Sequence, residues 1–134
     1  MTDAIDPSAE ATALARFSLP ANSAAPRAAR RRIEALDGLA APLVGDARLV
    51  LSELVSNAVR HAAPPDGAAI DVVLRREQDA LVIEVDDHGA FSCSAAHAPR
   101  ASRAGGFGLR IVERLCERWH ADTGRVVARI ALPG

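Results

Sequence analysis

At every second position from Ile70 through Val72 to Leu74 the chain is apolar; Glu77 to Asp79 interrupt the pattern, and Leu81, Ile83 and Val85 resume it. A period of two belongs to a strand with one face buried. The interruption is long enough for a tight antiparallel turn and far too short for a parallel crossover. This hairpin commits the middle of the chain to an antiparallel sheet. The rest of the sequence must then cover the sheet's apolar face.

Residues 1–13 are rich in Ala, Asp, Ser and Thr without periodicity and read as a flexible tail, leaving 14–134 as one domain. Ala15, Phe17 and Leu19 alternate with polar residues in a short strand that Pro20 ends. Asn22 or Ser23 can cap a helix that tolerates Pro26 in its first turn, carries Ala29, Ile33 and Leu36 on one stripe, and stops near Gly38. A second helix opens at Pro42 to Asp46 and runs to about Ala62, where Pro64 and Pro65 stop it. Asp66-Gly67 is a turn before the hairpin, and residues 88–104 have no period and form a mobile loop. A third helix is predicted over about 107–119 on the stripe Leu109, Val112, Leu115, Cys116 and Trp119. A turn at Asp122 to Gly124 then leads into a last strand at Val126, Ala128 and Ile130. The order β, α, α, β, β, α, β is no parallel βαβ series. It predicts an α+β two-layer sandwich, a mainly antiparallel sheet of about four to five strands with three helices on one face.

Composition narrows the chemistry. With three Phe, one Trp and no Tyr in 134 residues, the core must be Ala, Val, Leu and Ile. A net charge of −1 gives no field that would draw the chain onto nucleic acid or an anionic membrane. All sixteen basic residues are Arg, so a phosphate-binding P-loop lysine and a Schiff-base lysine are both excluded. Two cysteines make no disulfide framework, and no secretory leader or apolar run of membrane length is present, which together predict a reduced cytoplasmic protein.

Three stretches carry the candidate site. On the second helix Leu51, Leu54, Val55, Ala58, Val59 and Ala62 share an apolar arc, with Ser52, Ser56 and Arg60 opposite. Glu53, Asn57 and His61 form a stripe at the edge of that arc, where they would line a cleft. Taken alone, this is an ordinary amphipathic helix. In Val85-Asp86-Asp87-His88-Gly89, strand parity puts Asp87 with Leu81, Ile83 and Val85, towards the helix layer. A carboxylate facing a core needs a donor, which an amine-bearing ring such as adenine supplies, and Gly89 lets backbone approach a ligand closely. Asp87 as a simple turn cap is the competing account. In Gly105-Gly106-Phe107-Gly108-Leu109, glycines run straight into a helix start, which favours anions. A plain flexible turn would read the same way. A dinucleotide fingerprint is excluded, because position 111 is Ile111 and no strand precedes. Together the stretches predict a nucleotide site: Asp87 for the base, the glycines for phosphates, Asn57 for Mg²⁺, and Glu53 to take a proton from an attacking hydroxyl.

On these residues the sequence resembles the GHKL (Bergerat-fold) ATPases, and within them the small anti-sigma-factor serine kinases of the SpoIIAB and RsbW type, in the single-domain form widespread in actinobacteria. Residues 53–62 look like the N box, Asp87-His88-Gly89 like the first glycine box, and Gly106-Phe107-Gly108-Leu109-Arg110-Ile111-Val112 like the second. Trp119 and Gly124-Arg125-Val126-Val127 also fit, and the resemblance spans about residues 15–132. It implies Glu53 as general base, Asn57 as Mg²⁺ ligand and Asp87 as reader of adenine. Arg60, His61, Gly89, Gly105, Gly106, Phe107, Gly108 and Leu109 would surround ATP. Residues 90–104 would be the lid, with Arg100 or Arg103 reaching the γ-phosphate. It further implies a kinase, often homodimeric, that sequesters a sigma factor and phosphorylates a serine of an anti-anti-sigma (STAS-type) antagonist. Phe91, preceded by Ala90, stands where the family has a second glycine, which keeps open the alternative of a sequestration module without turnover. A histidine-kinase catalytic domain shares the fold, and Cys93-x-x-x-His97 as a metal site is the weakest of the readings.

Overall fold

The computed structural model describes residues 11–61, 69–87, 107–122 and 124–132. Positions 1–10 of the expected tail, the expected turn at Asp66-Gly67 and the expected loop at 88–104 lie outside the described residues. Among the described residues there are five strands and three helices, in the order β1 (Ala11–Pro20), α1 (Ala25–Glu34), α2 (Ala41–His61), β2 (Ala69–Glu77), β3 (Ala80–Asp86), α3 (Phe107–Leu115), β4 (Arg118–Asp122) and β5 (Arg125–Ala131). The strands form one sheet in the order β1-β2-β3-β5-β4, with every neighbouring pair antiparallel. The predicted α+β sandwich is what the chain adopts.

Cross-strand partners share a face, so the register sorts the sheet into two sides. Phe17 pairs with Val72, Val72 with Val85, and Val85 with Val126; Leu74 pairs with Ile83, and Ile83 with Ala128. These apolar rungs form one core with Ala29 and Ile33 of α1, Leu51, Leu54, Val55 and Ala58 of α2, and Val112 of α3. At about 25 cal/mol per Å² of apolar surface, burial in this layer is the main force closing the sandwich. No helix among the described residues is long and apolar enough to cross a membrane.

Four boundaries differ from the sequence expectation, each for a physical reason. Strand β1 starts at Ala11, because Ala11 to Ala13 still pair with Glu77 to Arg75 across a register shift between Ala13 and Ala15. Helix α1 begins at Ala25 with Pro26 in its first turn and has no side-chain cap; Asn22 instead accepts the Ala24 N–H at 2.9 Å in the preceding turn. The same helix ends at Glu34, not near Gly38. Leu36 follows it, donating its N–H to Ile33 O at 3.0 Å, and Gly38 sits in the left-handed region at φ 85°. Helix α3 stops at Leu115 rather than at 119, and Glu117 N–H turns to Arg129 O at 2.9 Å. Trp119 is therefore an edge-strand residue opposite Ala128, not the end of a helical stripe. Its position continues both a helical stripe and a period of two, and pairing with β5 decides between them.

Candidate functional site

Helix α2 packs against α1 on one side and α3 on the other, and also meets β3. That position explains a residue that periodicity put on the wet side. Ser52, expected opposite the arc, is only 5% exposed and donates its hydroxyl to Leu49 O at 3.2 Å. The arc itself is buried as expected at Leu51, Leu54, Val55 and Ala58, with Val59 partly buried against the core. Beside the arc, Asn57 is 7% exposed and Glu53, one turn earlier, is half-buried. Arg60 and His61 complete the last turn of α2.

Asp87 follows β3 directly, and its 5% exposure is the burial its parity predicts. Its backbone N–H donates to Gly124 O at 2.7 Å, one rung past the Asp86 and Arg125 pair that ends the ladder between β3 and β5. Gly124 is buried, with φ 76°. The next rung inwards on the same face is Phe17, Val72, Val85 and Val126, so a carboxylate closes an otherwise apolar row. Sequence reasoning placed Asp87 and put Gly124 in the turn ahead of the final strand, but did not foresee the bond between them.

The elements bring these groups to one end of the sandwich. The segment leading into α2 and the β2–β3 turn share a cavity lined by Gly38, Leu39, Leu43, Gln78 and Asp79, so α2 and β3 start from the same end. From there Asn57 lies about 24 Å along the helix at 1.5 Å per residue, and Asp87 about 23 Å along the strand at 3.3 Å per residue. Helix α3 adds its own start. Cys116, just past its last residue, feels the charge of Asp46 near the beginning of α2. An α3 packed along α2 must then run the opposite way, which carries Phe107, Gly108 and Leu109 about 13 Å back towards the level of Asn57. No acidic residue occupies that first turn, whose free N–H groups favour anions. His88, Gly89, Phe91, Cys93, His97, Arg100, Arg103, Gly105 and Gly106 lie outside the described residues.

Cys116 is no nucleophile here. Burial first, and the Asp46 charge second, push its thiol up to about 12, so it stays protonated at neutral pH.

The donor set fits ATP with Mg²⁺. Asp87 Oδ2 and Asn57 Nδ2 are both shielded from water. A shielded carboxylate suits an amine donor, a carboxamide oxygen suits a hard cation, and a helix start suits phosphate. Among curated proteins no match to the chain is found. A family model for the histidine kinase-like ATPase domain matches residues 19–131, from the end of β1 to the end of β5, and so includes α2, Asp87 and α3. That coverage supports an ATP-binding, kinase-like function and leaves few described residues outside it; the chain belongs to the histidine kinase-like ATPase domain family.

Proposed function

We propose that the chain is an ATP-dependent regulatory serine/threonine protein kinase of anti-sigma-factor type, which phosphorylates an anti-anti-sigma antagonist and sequesters a sigma factor or a similar regulator. One observation carries the reading: Asn57 and Asp87 are polar side chains shielded from water beside the apolar core, and the lengths of their elements argue for a common level with the start of α3. In this account Asp87 accepts a hydrogen bond from the adenine amine and so orients the nucleotide. The first-turn N–H groups of α3, at Phe107, Gly108 and Leu109, hold phosphate oxygens. The Asn57 carbonyl oxygen would hold Mg²⁺, which when bound neutralises charge on the phosphates. Glu53 is half-buried one turn before Asn57 and keeps access to solvent, as a base receiving a substrate proton requires. It takes the proton of the antagonist's serine hydroxyl as that oxygen bonds to the γ-phosphorus, and the bond from that phosphorus to the bridging oxygen breaks to release ADP. By the resemblance Arg60, His61, Gly89, Gly105 and Gly106 would complete the surroundings of the nucleotide, with Arg100 or Arg103 reaching the γ-phosphate, and the reading puts the protein in the cytoplasm.

Transfer of labelled phosphate from ATP to a cognate antagonist is the direct test. Transfer abolished in Glu53→Ala, with ATP binding retained, is the expected result. Binding without transfer in the native protein would overturn turnover and leave a sequestration module. No binding of ATP at all would remove the nucleotide as well.

A further inference from the structure

We infer that Gly124 is a positioning residue for the carboxylate of Asp87, and so sets how well the site discriminates adenine. The inference rests on the reading of Asp87 as the group that recognises the base. The ladder between β3 and β5 ends at the Asp86 and Arg125 pair, yet one more bond follows, from Asp87 N–H to Gly124 O at 2.7 Å. Asp87 itself is outside the strand, so this bond ties its backbone to the sheet from the β5 side. Gly124 makes it from a left-handed conformation, φ 76°, immediately before β5. A side chain disfavours that conformation through its Cβ, most strongly when β-branched, and a residue that leaves it swings its carbonyl away. The opposite face of the same rungs is independently fixed. Glu84 accepts Arg75 Nη1 at 2.8 Å and faces Arg125 Nη1 at 3.3 Å, which holds β2, β3 and β5 together beside the turn. With the strands so clasped, the backbone at 124 decides whether Asp87 keeps its last rung and with it the direction of its carboxylate.

Calorimetry of ATP binding, with displacement of a fluorescent ATP analogue by inorganic tripolyphosphate, separates recognition of the base from retention of phosphates. The variants are Gly124→Val, the milder Gly124→Ala, Gly124→Asn, and Asp87→Asn. Losing one well-aimed hydrogen bond predicts that Gly124→Val weakens ATP by about tenfold or more while tripolyphosphate changes less than about twofold. Gly124→Ala falls between it and the native protein, and Gly124→Asn, whose side chain tolerates the left-handed region, restores most of the ATP affinity. Native ATP affinity in Gly124→Val and Gly124→Ala, with affinity lost in Asp87→Asn, overturns the positioning role and leaves the base reading intact. Equal losses for ATP and tripolyphosphate also overturn it, because they report a damaged fold. Native affinity in Asp87→Asn overturns the base reading itself.

Discussion

The two faces of the sheet treat charge in opposite ways. Towards the helices, β3 presents Leu81, Ile83 and Val85, all fully buried, and a carboxylate enters only at the end, as Asp87. Away from them, the same strand presents Glu84, which bridges Arg75 and Arg125. Arg129 of β5 reaches Glu77 at 2.6 Å, Glu117 at 2.7 Å and Asp79 at 3.0 Å, and its pKa is raised by the hydrogen bonds to Glu77 and then Glu117. Ser18 likewise donates to Asp71 across β1 and β2. Charges on the outer face are thus satisfied by neighbouring strands and tell of structure. The carboxylate on the inner face is the one that the proposed function assigns to adenine.

The sharpest way to break this contrast is to remove an equal kind of group from each face. Ile83→Ala opens a fully buried site beneath the helices and should lower stability by about 2 to 5 kcal/mol in urea unfolding. Val82→Ala should cost less, about 1 to 2 kcal/mol, because Val82, although 3% exposed, belongs to the outer face beside Arg75 and Arg129. An equal cost for the two would show that the outer face is packed like a core. Arg129→Ala should cost about 1 kcal/mol at low salt and visibly less at high salt, since surface pairs are weak singly and screened. A loss insensitive to salt would mean that the network acts as a buried one. At neutral pH the last effect vanishes, and it shows only as a slope in alkali. Cys116 ionises near 9 when exposed and near 12 when folded, so above about pH 9 the unfolded chain has released a proton that the native chain retains. Stability should therefore decline between pH 9 and 12, and Cys116→Ala should flatten that decline. An unchanged slope would show the thiol to be solvated.

Much of this was legible in the sequence because a period of two survives folding unchanged. The hairpin of β2 and β3, the parity of Asp87 and the reach of α2 to His61 all follow from local pattern. What escaped depended on neighbours far along the chain. Arg118 to Asp122 is too short to distinguish a fading helical stripe from an edge strand, and only the need of β5 for a partner resolves it. Ser52 is polar, yet α2 is flanked on two sides and so buries more than one arc. The ion pairs of Arg129 join residues from three separate segments, and no window along the chain displays them together. For the same reason the bond between Gly124 and Asp87 was not legible, since the two stand far apart in the sequence.

The register shift between Ala13 and Ala15 has a consequence for how copies of this protein coexist at high concentration. Among the described residues strand β1 pairs on one side only, with β2, and a straight edge of its length would offer unsatisfied N–H and C=O groups as a template for aggregation. A bulge interrupts the regular spacing of those groups, twists the strand, and leaves an incoming chain no continuous ladder to join. Pro20, with no N–H, closes the other end of the same edge. The irregularity that makes β1 hard to delimit from sequence is thus also what discourages one molecule from growing onto the next.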